Sequence, residues 1–247
     1  MEKFYEHGKT HRRFLVWVVT IDPRATHRHV TPKDFRAASN FIPKDIRNIV
    51  TTLKPIILAS ASSTRAEMLR AVGVTFVIDT ADIDEPQIRA TMVTSDPAKV
   101  AAVLAHKKAA VVCDRHRGSL VIGADQILNF NGALLGKPGD RDDARTQLKE
   151  LRGHTHQLVT SVCVAQNSEI LWQHTNQANL AMRNFSDGFL ENYLDREERV
   201  LDSPGAYHLE TLGAGLFNAV DGDHFSILGL PLLPLLEFLR GRGAIQA

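Results

Sequence analysis

Residues 121–138, VIGADQILNFNGALLGKP, set one acid into a run that is otherwise apolar. Asp125 closes VIGAD, with Gln126 beside it. A carboxylate at such a strand end could activate water or hold a divalent cation, or it could be an ordinary turn-proximal acid reaching solvent. Asn131-Gly132, between two apolar runs, is a hairpin signal. Residues 125 and 137 flank that turn almost symmetrically, so the returning strand is expected to bring Lys137 beside Asp125. An acid and a base side by side at the mouth of a sheet suit catalysis; a structural salt bridge is the competing reading. SASSTR (60–65), where a strand breaks into a helix, offers backbone N–H groups, the hydroxyls of Ser60, Ser62, Ser63 and Thr64, and Arg65 to an anion. The bland reading of that stretch is helix capping with a surface arginine. With no Gly-Lys-Ser/Thr, it is not a P-loop.

Three further groups carry chemistry less securely. DIDEP (82–86) places Asp82, Asp84 and Glu85 where oxygen ligands could bind a metal, although acidic loops are usually just solvated. Lys108, beside His106 and Lys107, reads as part of a solvent-facing charge run. His154 and His156 resemble a metal pair but lack a third ligand at useful spacing, so a hydrogen-bonding role is expected. No Gly-x-Ser-x-Gly supports a nucleophilic serine. An anion-binding helix start, cations for phosphate and carboxylates for a divalent cation are together the equipment of metal-assisted phosphate-ester or anhydride hydrolysis.

The elements that must position these residues begin at Lys54. PIILAS (55–60) reads as a buried strand, followed by a helix in which Thr64 and Glu67 have capping-box spacing and Gly73 supplies the stop. Residues 74–86 read as a strand running into an acidic loop, and 96–116 as a helix with Pro97 in its first turn. After the 121–138 hairpin come a helix with an acidic first turn (139–153) and strands near 157–165, 169–174 and 177–184. A Ser-capped helix (186–197), a second hairpin around Asp221-Gly222 and a closing helix near 231–243 complete the chain. Strands and helices alternate without a strict βαβ rhythm, so the fold class is α/β, a mixed β-sheet with flanking helices.

The chain has 247 residues and a formal net charge of +1, with 44% hydrophobic and 23% charged residues. That balance supports a sizeable core and argues against nucleic-acid coating or a membrane-surface role. The charge is unevenly spread: residues 1–54 carry 11 Lys/Arg against 5 Asp/Glu (net +6), and the remaining 193 carry 18 against 23 (net −5). Residues 1–54 are therefore read as a basic N-terminal extension, disordered or produced by a start placed too far upstream, and 55–247 as the functional domain. Cys113 and Cys163, each in an apolar stretch, suit two buried thiols in a reducing cytosol. The apolar run Phe14–Ile21 is too short to span a bilayer and lacks a cleavage site, so neither a membrane span nor a secretory signal is expected.

ILASASSTRAEML (57–69), DIDE (82–85), AHKKA (105–109), VIGADQIL (121–128), GALLGKP (132–138), LRGHTHQLVTSV (151–162) and the segment 205–232, in this order, resemble the Maf family of nucleotide pyrophosphatases. The resemblance implies a curved mixed sheet with two lobes around a cleft, and a cytoplasmic homodimer. It also implies hydrolysis of nucleoside triphosphates to monophosphate and pyrophosphate with Mg²⁺ or Mn²⁺. It assigns Asp125 as general base and Lys137 as stabiliser of developing charge. Ser60, Ser62 and Arg65 would hold the phosphates, Glu85 and Lys108 would complete the charged pocket, and Gln157 and Glu210 would line the base side. Many members read Ser-Pro-Arg-Arg where this chain has Ser62-Ser63-Thr64-Arg65, so one phosphate-clamping cation is absent. Gln126 stands where the thymidine/uridine-directed branch has Thr, Glu210 replaces a common Gln, and Thr211 a common Gly. These departures lean toward the 7-methyl-GTP-directed enzymes and leave the base open. The family is also linked to arrest of septum formation, which makes a nucleotide-binding regulator with little turnover the alternative.

Overall fold

The computed structural model describes residues 54–246. The expectations for residues 1–53 lie outside the described residues. Among these, seven strands form one mixed sheet in the order β2-β1-β3-β5-β6-β7, with β4 paired to the far end of β3. The strands are β1 (Ile56–Leu58), β2 (Phe76–Ile78), β3 (Val121–Phe130), β4 (Ala133–Leu135), β5 (Thr155–Gln166), β6 (Glu169–Met182) and β7 (Phe217–Asp221). β1 is parallel to β2 and β3, whereas the β3-β5-β6-β7 ladder is antiparallel.

The first helix, α1 (Ser63–Ala71), starts one residue after Ser62, whose hydroxyl accepts from the Arg65 N–H. The cap is therefore Ser62 and not Thr64: Ser62 has the extended backbone of an N-cap, while Thr64 is already inside the first turn. α2 (Glu85–Thr91) begins inside the expected acidic loop. The Asp84 side chain caps the Gln87 N–H and Pro86 sits in the first turn, so DIDEP is a helix start. α3 (Pro97–Arg115) matches its expectation and is capped by Asp96. α4 (Arg141–Leu151) and α5 (Asp187–Arg196) start from Asp140 and Ser186 caps.

Two strand expectations are corrected. The segments near 169–174 and 177–184 are one continuous strand of 14 residues, β6, because β5 pairs with it along nearly its whole length. Asp221-Gly222 does not turn a hairpin: β7 ends there, and Asp223 caps a short helix α6 (His224–Ile227) before the closing α7 (Leu232–Gly241). The Asn131-Gly132 hairpin is present, with both residues at positive φ (52° and 87°) and Phe130 opposite Ala133.

The core explains two lobes on one sheet. On one face, Leu58, Leu69, Ile122, Val164, Leu235 and Leu239 join α1 and α7 to the sheet. Further along the same face, Leu128, Leu148, Leu158, Leu180 and Leu190 pack α4 and α5. Between them a polar stripe crosses three strands in register, Gln126 opposite Thr160 and Thr160 opposite Asn176. Thr160 Oγ1 donates to the Ser226 carbonyl at 2.8 Å and Asn176 Nδ2 to Ser226 Oγ at 2.9 Å, so the stripe is satisfied and divides the apolar surface. α3 covers the opposite face, where Cys113 and Cys163 are buried with Ile57, Ala105, Ala109 and Val112.

Candidate active site

A break in the sheet makes the site. β1 pairs with β3 only at Val121 and Ile122, and β4 joins only from Leu128 onward. Between these points β3 has no strand on that side among the described residues, although β5 pairs with it continuously on the other. Asp125 sits mid-strand in this gap, not at a strand end as the sequence reading had it. A cleft of about 390 Å³ opens there, within the size range of small-molecule sites. Ser60, Ser62, Thr64, Arg65, Glu85, Lys108, Asp125, Lys137 and Glu210 all line it.

Asp125 is 4% exposed, and its lysine neighbour is Lys108 rather than Lys137. Lys108 Nζ donates to Asp125 Oδ1 at 2.6 Å and reaches Glu85 Oε1 at 2.7 Å. The β3–β4 ladder stops at Leu135, so counting symmetrically across the turn brings Lys137 into the same cleft without a hydrogen bond to Asp125. Lys108 gets there because α3 lies unusually close to β3. A Cβ at Gly123 would meet the Ala105 carbonyl oxygen at 2.2 Å and the Ala109 Cβ at 2.9 Å. With Ala105 against Gly123, the residue three further along the helix stands over the residue two further along the strand. The expected surface lysine is thus drawn into the cleft.

Burial raises the Asp125 carboxyl above its usual range, opposed by Lys108, and the nearby Glu85 charge adds to the rise. Its second oxygen, Oδ2, is buried without a hydrogen-bond partner among the described residues. A buried, unspent carboxylate oxygen with raised basicity is what a proton acceptor requires. For Glu85 burial works against the charge, but Lys108, Arg89 and Lys137 outweigh it and hold the carboxyl below its usual range. The two carboxylates around one lysine are thereby driven apart in basicity.

The anion-binding side is built on α1. Ser60 Oγ accepts from the Ser62 N–H at 3.3 Å and from Arg65 Nη1 at 3.0 Å. Arg65 is buried rather than a surface residue: Nε donates to the Gly229 carbonyl at 2.7 Å and Nη1 to the Ala124 carbonyl at 3.1 Å. The Ala124 carbonyl is one of the groups the sheet gap leaves without a strand partner. Burial lowers the Arg65 pKa, with Asp125 and Glu85 opposing the shift. Arg65 therefore frames the cleft, with Nη2 left free of hydrogen bonds to the described residues.

Across the mouth, Glu210 Oε1 accepts from Thr64 Oγ1 at 3.1 Å and lies 3.5 Å from His208 Nδ1. Burial disfavours the Glu210 charge, yet His208, a backbone N–H and Thr64 bring its pKa to about 2, so it is an anionic acceptor at neutral pH. Gln157 is not brought to the cleft. Its amide bonds to Gln177 at 3.1 Å, and Leu158 is the neighbour that lines the pocket. Gln126 does line it, with Nε2 held by Thr160 Oγ1 at 2.8 Å and by the Ile227 carbonyl at 3.0 Å. His156 is buried against the Tyr207 hydroxyl at 2.7 Å, and burial lowers its pKa to about 4. Among the described residues no group of three His, Cys, Asp or Glu side chains is arranged to hold a metal by itself.

The sequence reading missed Arg89 and His208, which also line the cleft. Arg89 sits one turn after Glu85, 3.6 Å from it, and would have been found had the Asp84 cap and Pro86 been read as a helix start.

This constellation can be compared with known proteins. Residues 55–242 match the Maf-like protein family. The chain belongs to that family. Curated relatives are similar over about three quarters of the chain. A nucleoside triphosphate pyrophosphatase of Paramagnetospirillum magneticum is 49% identical over 191 residues, 76% of this chain and 98% of the relative. One of Bradyrhizobium diazoefficiens is 46% identical over 192 residues, 77% of this chain and 95% of the relative. One of Caulobacter vibrioides is 44% identical over 197 residues, 78% of this chain and 98% of the relative. The Maf-like match begins where the sequence becomes orderly and contains every cleft residue named above.

Proposed function

We propose that the chain hydrolyses nucleoside triphosphates to nucleoside monophosphate and pyrophosphate, as its relatives' names describe, with Asp125 as general base. The observation that carries the reading is the buried Asp125 carboxyl, raised in basicity and with Oδ2 unpartnered among the described residues, in a cleft whose other wall is the start of α1. A water held at Oδ2 gives up its proton as its oxygen attacks the α-phosphorus. The bond from that phosphorus to the bridging oxygen breaks, and pyrophosphate leaves carrying the electron pair. Lys137, which has no hydrogen-bonded partner among the described residues, stabilises the charge developing on the phosphates. Ser60, Ser62 and Arg65 hold the phosphate oxygens, and Lys108 orients Asp125 through Oδ1.

The donor set fits Mg²⁺ or Mn²⁺. A hard divalent cation is commonly held by one or two carboxylates plus substrate phosphates, and Glu85 is the cleft carboxylate that would hold it, Asp125 Oδ2 being kept for the water. Such an ion supplies Lewis-acid polarisation of the phosphoryl oxygens. The reading includes a cytoplasmic homodimer. Buried thiols at Cys113 and Cys163 suit that compartment, and light scattering would check the oligomeric state.

The test is pyrophosphate release from a broad panel of nucleoside triphosphates, methylated bases included, with Mg²⁺ or Mn²⁺. At least one should be turned over, and Asp125→Asn should lower kcat by about 10²–10⁴-fold, the usual scale of general-base catalysis, while nucleotide still binds. Wild-type turnover in that variant would remove Asp125 from its role. Nucleotide binding without any turnover by the wild type would favour the regulator instead.

A further inference from the structure

Most of the cationic donors in the cleft are already spent. Lys108 is shared by two carboxylates, Arg89 faces Glu85, and Arg65 holds two carbonyls and Ser60, which leaves its Nη2 for phosphate. A nucleoside triphosphate brings a chain of phosphates to this balanced site, so charge must come from elsewhere as well. Arg199, in the segment after α5, is placed to supply it. Its Nη2 donates to Thr64 Oγ1 at 3.0 Å, and Thr64 belongs to the first turn of α1 and lines the cleft. Its Nε is buried without a hydrogen bond to the described residues and forms a loose ion pair with the exposed Asp202 carboxylate, 3.7 Å away. The Arg199 backbone is fixed at both ends, the N–H donating to Glu197 Oε1 at 3.3 Å and the carbonyl accepting from His208 Nε2 at 3.0 Å.

We propose that Arg199 is a further substrate-binding residue that takes a phosphate oxygen of the pyrophosphate half from the opposite lobe. This rests on the triphosphate reading above. A phosphate oxygen is a stronger acceptor than a threonine hydroxyl, because the hydrogen bond is charge-assisted and the guanidinium fork can engage it with two donors. Nη2 is already one hydrogen bond from a cleft-lining atom, so the exchange needs side-chain rotation only. Nε, loosely paired with Asp202 and free of hydrogen bonds to the described residues, becomes the second donor. Thr64 Oγ1, released, retains its bond to Glu210. Arg199 thereby provides from across the cleft the cation that position 64 does not carry.

The experiment is calorimetric titration of wild type and Arg199→Ala with pyrophosphate and, separately, with a nucleoside monophosphate, alongside thermal melts. Pyrophosphate affinity should fall about tenfold, the loss of one charge-assisted contact, with monophosphate affinity unchanged. Arg199→Lys should recover part of the loss. Unchanged pyrophosphate affinity overturns the proposal. An equal loss for both ligands with a lower Tm also overturns it, because that is the signature of a strut between lobes. Should the alanine variant not fold, Arg199→Gln retains a donor for Thr64 without the charge, and the same comparison is read on it. Neither titration requires turnover. Absence of triphosphate hydrolysis by the wild type would therefore defeat the pyrophosphatase reading and leave Arg199 tested on its own.

Discussion

Asp125 is held between two opposing pulls, burial and Lys108, and pH reads the balance. Its carboxyl takes up a proton at higher pH in the folded chain than in the unfolded one, so between those two values the folded form binds more protons. Stability from this group is therefore greatest at low pH and falls as pH rises through the folded value. Asp125→Asn should accordingly melt at or above the wild-type temperature at pH 7, with the gap closing toward about pH 4, the ordinary aspartate value. Scanning calorimetry across that range checks it. Activity runs the other way: the acid limb of kcat/KM should lie above about 4 in the wild type. Lys108→Gln should move that limb up by about one unit or more, since it leaves Asp125 and Glu85 facing each other without their shared cation. A limb that stays in place would show that Lys108 does not set Asp125's basicity. The sequence made the acid conspicuous, because a carboxylate among apolar residues needs a reason. Its partner was hidden. Lys107 and Lys108 look alike in sequence, and only the approach of α3 to β3 separates the one that reaches the cleft.

That approach belongs to the elements. Gly123→Ala would set a methyl 2.2 Å from the Ala105 carbonyl oxygen, forcing α3 off the sheet. The expected cost is about 1–3 kcal/mol of stability, as for other overpacked sites. A fall in kcat should accompany it, as Lys108 leaves Asp125. Gly132→Ala is the matched control: the turn has open space but φ is +87°, so about 1 kcal/mol should be lost with kcat unchanged. Denaturant melts and steady-state kinetics on the two variants separate the effects. Helices α3, α4 and α5 were legible because caps and apolar periodicity agree. α2 was not, since it is a helix of 7 residues without a buried side chain and so presents no apolar stripe. The length of β6 was hidden for a related reason. Its middle carries Gln173, His174, Asn176 and Gln177, and pairing with β5, not composition, keeps it extended.

At the scale of the molecule, the continuous β3-β5-β6 ladder carries both lobes, and the polar stripe at Gln126, Thr160 and Asn176 keeps their apolar clusters apart. The two lobes were expected from the family resemblance and not from residue patterning, because the stripe is contiguous only once three strands lie in register. Every cleft residue lies between positions 59 and 229, inside the segment that matches the family. Deleting residues 1–50 should therefore leave kcat and KM within about twofold, the range of changes remote from a site; a larger loss would give the basic extension a part in building the site. The two cysteines have a practical bearing on all of these tests. Both are sealed between α3 and the sheet, and burial pushes the Cys163 thiol up to about 12, so it resists alkylation while the helix is seated. Lys108 rides on that same helix. The rate at which a thiol reagent labels the native chain is thus a built-in clock for how often the helix lifts and Asp125 loses its lysine, readable without an engineered probe.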